Sequence, residues 1–76
     1  MRPPYILRVE EEKKELDIKI EALAYWISNS EHFNQLDPSE KQDQRDQLAF
    51  MRGYTKCLAS RLERFGQQHA TPRLQK

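Results

Sequence analysis

Few side chains in this sequence have both the type and the spacing that catalysis requires. The two histidines, His32 and His69, lack a cysteine, histidine or carboxylate partner at metal-ligand spacing. Cys57 is the only cysteine, and a cysteine with a distant histidine does not define a nucleophile and its base. Two glycines are too few for a glycine-rich phosphate loop. We therefore expect no enzyme activity, no catalytic residue, no metal site and no cofactor.

Basic side chains in the second half of the chain offer the clearest binding chemistry. Arginine and lysine hold phosphate groups, and a nearby tyrosine such as Tyr54 can stack on a base. The candidate ligands for a phosphate or a nucleotide are Arg45, Arg52, Lys56 and Arg61. The alternative is a solvated basic face that pairs with an acidic partner helix. Acidic residues interrupt the basic series, so sequence-specific DNA binding is not expected.

Charge is divided unevenly between the two halves of the chain. Residues 1–38 contain five Lys/Arg and eight Asp/Glu, a surplus of three negative charges. Residues 39–76 contain eight Lys/Arg and four Asp/Glu, a surplus of four positive charges. Opposite charges favour pairing of the two halves, either within one chain or between chains. Two separately solvated helix faces would give the same composition, so both interpretations stay open.

Two segments with a heptad pattern must position these residues. Apolar residues recur at alternating spacings of three and four, which is the pattern of a helix that packs along another helix. The positions are Ile6, Val9, Leu16, Ile20, Leu23 and Ile27 in the first segment, with Lys13 in one slot, and Leu48, Met51, Thr55, Leu58, Leu62 and Phe65 in the second. The pattern predicts helices over about residues 5–28 and 38–65 of one domain, residues 1–66.

The ends of the helices are marked by residues with known capping preferences. Ser28–Ser30 favours a helix end, and the connector should span about residues 29–37. Within it, Phe33 and Leu36 are expected to fold back over the open end of the helix pair. Asp37 followed by Pro38 is a strong helix start. Gly66 is placed to end the second helix as a left-handed cap, followed by a flexible tail over residues 67–76.

The predicted fold class is all-α, an antiparallel and coiled-coil-like two-helix hairpin. The apolar surface that two seams bury stabilises the fold by less than the conformational entropy of ordering the chain costs. Further apolar residues lie outside the seams, and the candidate interface residues are Tyr25, Trp26, Phe50, Tyr54 and Cys57. We expect these to assemble hairpins into a helical bundle as a homo-oligomer, with docking on a foreign protein as the alternative. Gly53 would suit a close helix approach, but an incidental glycine is equally consistent.

No part of the sequence predicts a membrane protein or an exported one. There is no apolar run long enough for a membrane span and no apolar stretch of a signal peptide at the N-terminus. We therefore expect a cytoplasmic protein with no membrane partner.

The two-helix pattern resembles a family of short, uncharacterised tailed-phage proteins that includes one from a crAss-like phage. The resemblance covers about residues 6–65. It is carried by Arg8, Val9, Glu12, Glu15, Leu16, Lys19, Ile20, Leu23, Ile27, Phe33, Leu36, Glu40, Gln47, Leu48, Met51, Tyr54, Leu58, Arg61 and Leu62. This sequence departs from the pattern at Tyr25 and Trp26, where relatives have simpler apolar residues.

The resemblance implies a phage or prophage protein that acts inside an infected bacterium. The leading hypothesis is a non-enzymatic accessory protein that acts by binding as a host-defence antagonist. It would either inhibit an immune protein or sequester a cyclic nucleotide signal. The alternative is a structural scaffold or a regulatory coiled-coil protein of the phage. The link from helical hairpin to counter-defence rests on analogy of fold and context.

Overall fold

The computed structural model describes residues 2–69, and these residues form three helices. Helix α1 spans Pro4–Asn29, the short helix α2 spans Glu31–Asn34, and helix α3 spans Pro38–His69. No strand occurs within residues 2–69. The predicted all-α class is confirmed. The segment between the long helices contains α2.

A single serine separates α1 from α2. Ser30 is extended, with φ −86° and ψ 131°, which ends the helical backbone of α1. Its own N–H still donates to the Trp26 carbonyl, 3.0 Å away. Its hydroxyl then accepts hydrogen bonds from the N–H groups of His32 and Phe33. Ser30 therefore ends one helix and is the N-cap of the next, which turns the chain sharply.

Helix α3 begins at the predicted position. The Asp37 carboxylate accepts a hydrogen bond from the Glu40 N–H at 2.8 Å, and the Asp37 carbonyl accepts the Lys41 N–H. Pro38 follows as the first helical residue, where its missing N–H costs nothing. The Glu40 carboxylate accepts a hydrogen bond from Gln44, one turn further along. One half of a capping box is therefore formed by Asp37.

The end of α3 differs from the predicted one. The helix continues through Gly66 to His69, and no glycine in the described residues has a positive φ. Gly66 is therefore an ordinary helical residue and does not form a left-handed cap. The residues that follow it, Gln67 and Gln68, are good helix formers, so nothing local stops the helix there. Residues 70–76 of the predicted tail lie outside the described residues.

The core lies along the contact between α1 and α3. Its buried residues come from both seams and from α2: Ile6, Val9, Leu16, Ile20, Phe33, Leu48 and Leu58. Leu23, Ile27, Met51 and Leu62 pack against them and are half-buried. Contacts between the helices pair early residues of α1 with late residues of α3, as in Tyr5 with Phe65, Asp17 with Thr55, and Trp26 with Gln44.

No helix in residues 2–69 combines the length and the apolar character that crossing a membrane requires.

Candidate binding surfaces

A polar layer interrupts the apolar seam near the middle of the helix pair. The Lys13 ammonium lies 2.8 Å from one carboxylate oxygen of Asp17, and the Thr55 hydroxyl donates to the other at 2.5 Å. These hydrogen bonds, that from Lys13 first, hold the pKa of the Asp17 carboxyl below its usual value of 3.8. Two seam positions that the sequence leaves polar thus meet through a neighbouring carboxylate. This layer forms only where α1 and α3 pack in a register that brings Asp17 opposite Thr55, so it is matched to the register that the apolar contacts set.

At the connector end, Trp26 has an internal role. Its indole N–H donates to the Gln44 side-chain carbonyl of α3 at 2.8 Å. Its ring lies parallel to the His32 imidazole, with 6.4 Å between centroids and 2° between planes. Trp26 is half-buried, so its polar group and one ring face are already engaged. Of the predicted interface residues, Trp26 therefore offers the least free surface.

Arg45, one of the predicted phosphate ligands, covers a core residue. Its guanidinium carbon lies 5.3 Å from the centroid of the Phe33 ring. Phe33 is only 1% exposed and is the innermost residue of the connector. A cation over an aromatic face is held by the ring's quadrupole. Arg45 is therefore engaged within the chain before any ligand arrives.

The four predicted phosphate ligands do not share one face of α3. All four are exposed. At about 100° per residue, Arg45, Arg52 and Lys56 fall within about 40° of one another, whereas Arg61 lies about 140° from Lys56. Arg52 and Lys56 are one turn apart, and no ion pair or hydrogen bond within residues 2–69 occupies them. The free part of the predicted basic site is this pair.

The predicted interface residues also divide between two surfaces. Tyr25 is 70% exposed and lies on the side of α1 that faces away from the core, two turns after Ile18, which is 60% exposed. Phe50 and Tyr54, 76% and 46% exposed, lie on α3 with the exposed Cys57. Helical spacing places Phe50, Tyr54 and Cys57 on the same side of α3 as Arg61.

Two features of these surfaces were missed by the sequence reasoning. Gln44 is the partner of Trp26, and its position in the next helix gives no local signal of that contact. A shallow groove is lined by Phe50 and Tyr54 together with Asp43 and Asp46. The same helical periodicity that identified the seam would have placed these carboxylates beside the aromatic residues.

Within the residues that the structure describes, no group of three or more His, Cys, Asp or Glu side chains is placed to hold a metal ion.

Residues 2–69 thus define a small all-α protein with two long packed helices and exposed basic and aromatic surfaces. A family model described as Sequestin matches residues 3–64, which include most of both helices. The chain belongs to the Sequestin family. Sequestin is a family of phage anti-defence sponges, which agrees with the predicted relation to a phage helical family. The crAss-like member named above stays a prediction. The comparisons found no match among curated proteins or solved structures.

Proposed function

We propose that this chain is a sponge for a nucleotide immune signal. It would be a non-enzymatic phage or prophage protein that binds a cyclic nucleotide in the cytoplasm of the infected bacterium. Holding the signal keeps it from its host receptor, so the protein acts as a host-defence antagonist. The observation that carries this proposal is membership of the Sequestin family over residues 3–64. Sequestration requires tight binding and no group that breaks a bond in the ligand.

Arg52 and Lys56 are the residues that we propose to hold the phosphate groups. They are exposed and about 6 Å apart along the helix axis, so both can reach one anionic ligand. Neither is neutralised by an ion pair within the described residues. Phosphate oxygens accept strong, charge-assisted hydrogen bonds from both side-chain types. Arg45 would join them only by leaving the ring of Phe33.

We further propose that the functional unit is an assembly of antiparallel hairpins. The reverse order of the contacts between α1 and α3 supports the hairpin. The large exposed fractions of Tyr25 and Phe50 support self-association, because aromatic side chains that face water are stabilised when a partner covers them.

The test is binding of a panel of cyclic mono-, di- and trinucleotides by thermal shift and calorimetry. At least one member should bind and raise the melting temperature. Heating the complex should then release that nucleotide unchanged, as judged by mass spectrometry. A chain that binds no member, or that returns a cleaved product, would refute the sponge proposal.

Paired substitutions locate the site within this experiment. Arg52→Ala and Lys56→Ala should each weaken binding by about tenfold to a hundredfold, since a lost charge-assisted contact costs about 1.5–3 kcal/mol and about 1.4 kcal/mol is tenfold. Lys19→Ala, at an exposed lysine of α1, is the matched control and should bind as wild type. Equal affinity in all three variants would place the site elsewhere.

A second candidate function is inhibition of a host immune protein by direct docking. It is favoured by the outward-facing apolar residues of α1, where Tyr25, Ile18 and Leu7 are 70%, 60% and 49% exposed. In that case Tyr25→Ala should abolish binding to a purified immune complex and leave nucleotide binding unchanged. A phage scaffold or regulatory role would give neither a nucleotide nor a host partner.

A further inference from the structure

One face of α3 has opposite charges at its two ends, so two antiparallel copies of this face would bring opposite charges together. This face, the outer stripe of α3, consists of Asp43, Asp46, Phe50, Tyr54, Cys57, Arg61 and Arg64, and Gly53 borders it at the middle of its length. The spacing keeps these residues on one side of the helix, within about 100° of one another. At its far end the stripe borders the seam, because Arg61 and Arg64 line a groove with Ile6 and Val9 of α1. All are exposed. The stripe is therefore acidic at the connector end, aromatic in the middle and basic at the far end.

The two charged ends are symmetrically placed about Gly53 and Tyr54. Asp46 and Asp43 lie seven and ten residues before Gly53, and Arg61 and Arg64 lie seven and ten residues after Tyr54. No ion pair within residues 2–69 neutralises these two carboxylates or these two guanidinium groups. Asp46 accepts a hydrogen bond from Gln42, and Arg64 donates one to Ser60, so both ends are held by neutral neighbours.

Neither Gly53 nor Gly66 is required by contacts within a single chain, and of the two only Gly53 borders the outer stripe. Glycine in a helix interior is destabilising relative to alanine. The backbone at Gly53 is helical without a positive φ, and a Cβ built there would meet no atom within 4 Å. Neither backbone conformation nor crowding inside the chain therefore requires glycine. A helix from outside that approaches closely at this point would.

We propose that the outer stripe of α3 is a dimer interface on which α3 of a second copy packs antiparallel, with the two-fold axis near Gly53. In this arrangement the acidic end of each copy meets the basic end of the other. The aromatic side chains then cover one another at the centre. A parallel arrangement would bring like charges together, which is unfavourable. A two-fold axis makes such a contact self-complementary and closed, so assembly through this stripe stops at two copies.

The inference deepens the self-association proposed above and is independent of nucleotide binding. Arg52 and Lys56 lie on another side of α3 and stay accessible in this dimer. Arg61, by contrast, becomes an interface residue and leaves the set of nucleotide ligands. A monomer that binds a nucleotide would contradict only the dimer, and a dimer that binds no nucleotide would contradict only the sponge. The two cases are distinguishable because mass and binding are measured independently.

Charge reversal with the full chain tests the interface by light scattering and analytical ultracentrifugation. Wild type should have twice the mass of one chain. The pair Arg61→Asp and Arg64→Asp, and the pair Asp43→Arg and Asp46→Arg, should each raise the dissociation constant by at least about tenfold. Combining all four substitutions in one chain should restore the dimer. Circular dichroism checks that each exposed-site variant remains folded.

The outcomes separate the alternatives. Loss of the dimer on reversing one end alone requires that opposite ends meet, because in a parallel dimer one repulsion would merely replace another. A wild-type monomer at about 100 µM would overturn both this inference and self-association. A wild-type dimer that neither double variant weakens, or that the fourfold variant fails to restore, would overturn the outer stripe as its interface.

A glycine pair provides a second test. Gly53→Leu fits the single chain but should prevent close approach and weaken the dimer by about tenfold or more. Gly66→Leu is the matched control, since Gly66 is also helical with nothing within 4 Å of a Cβ. It lies about 140° around α3 from Gly53, outside the stripe, and should leave the mass unchanged. Equal masses and affinities for the two variants would contradict the placement of the axis at Gly53.

Discussion

Replacing Phe33 by alanine should be among the most destabilising single changes in this chain. Phe33 is 1% exposed, and it belongs to α2, which has only four residues. A buried Phe→Ala change costs about 3–5 kcal/mol from lost transfer energy and the cavity that remains. A domain of 76 residues has roughly 4–11 kcal/mol of total stability, at about 0.05–0.15 kcal/mol per residue. Phe33→Ala should therefore remove a large part of the free energy of unfolding.

A smaller change at Phe33 leaves enough stability for the free energy of unfolding to be measured. Phe33→Leu removes three buried carbons and should cost about 2 kcal/mol, at about 0.8 kcal/mol per carbon. Urea unfolding followed by circular dichroism at a single protein concentration gives both values. A fixed concentration matters because self-association would add to the apparent stability. Trp26 fluorescence provides a second probe close to the connector.

The contribution of the contact between Arg45 and Phe33 can be measured separately from that of the cavity that a smaller residue at position 33 leaves. Arg45→Ala should cost about 0.5–1 kcal/mol, the range for a cation–π contact whose cation remains exposed to solvent. In the Phe33→Leu background the same change should cost close to nothing, because the ring is gone. An undiminished cost would show that Arg45 acts through another contact.

A solvent-exposed apolar residue provides the control for the Phe33 variants. Ile18→Ala removes an apolar side chain that is 60% exposed, and should change stability by less than about 0.5 kcal/mol. If Phe33→Ala cost less than about 1 kcal/mol, the connector would not be packed against the helix pair, and the reasoning from its burial would fail.

Three further predictions concern polar contacts. Asp17→Asn should destabilise the chain at neutral pH, because the lowered pKa of Asp17 stabilises the fold above about pH 3.8. The difference in free energy of unfolding between the variant and wild type should disappear as the pH falls through the folded-state pKa. A difference that does not depend on pH in urea titrations would contradict this. Asp37→Ala should cost about 0.5–2 kcal/mol and Asp37→Ser much less, whereas equal losses would exclude an N-cap role. Trp26→Phe should cost about 1 kcal/mol through the lost bond to Gln44, and an unchanged urea midpoint would mark Trp26 as a surface residue.

Much of the fold could be predicted from local patterns. The heptad spacing identified residues of both seams, and Leu48 and Leu58 are indeed buried. The start of α3 followed from Asp37 and Pro38, because an N-cap depends on a few neighbouring residues. Local patterns were less informative at Gly66. A left-handed cap requires a positive φ, which glycine permits but does not impose, and here the helix continues.

The candidate surfaces were only partly predictable. Helical spacing in the sequence already separates Arg61 from Arg52 and Lys56, and it aligns Arg61 with the aromatic residues of α3. The prediction of one basic site grouped them by residue type instead. That Arg45 covers Phe33 could not be read from spacing, because the contact depends on how the connector folds back.

What the sequence determined by itself is the pair of amphipathic helices, their main start signal and the opposite charges of the two halves. These properties depend on side chains within one or two turns of each other. The tertiary structure decided which polar and charged side chains have partners inside the chain. Trp26 binds Gln44, Thr55 binds Asp17, and Arg45 lies over Phe33. Such pairings are set by the register of two packed helices, and that register follows from the whole contact surface rather than from any local segment.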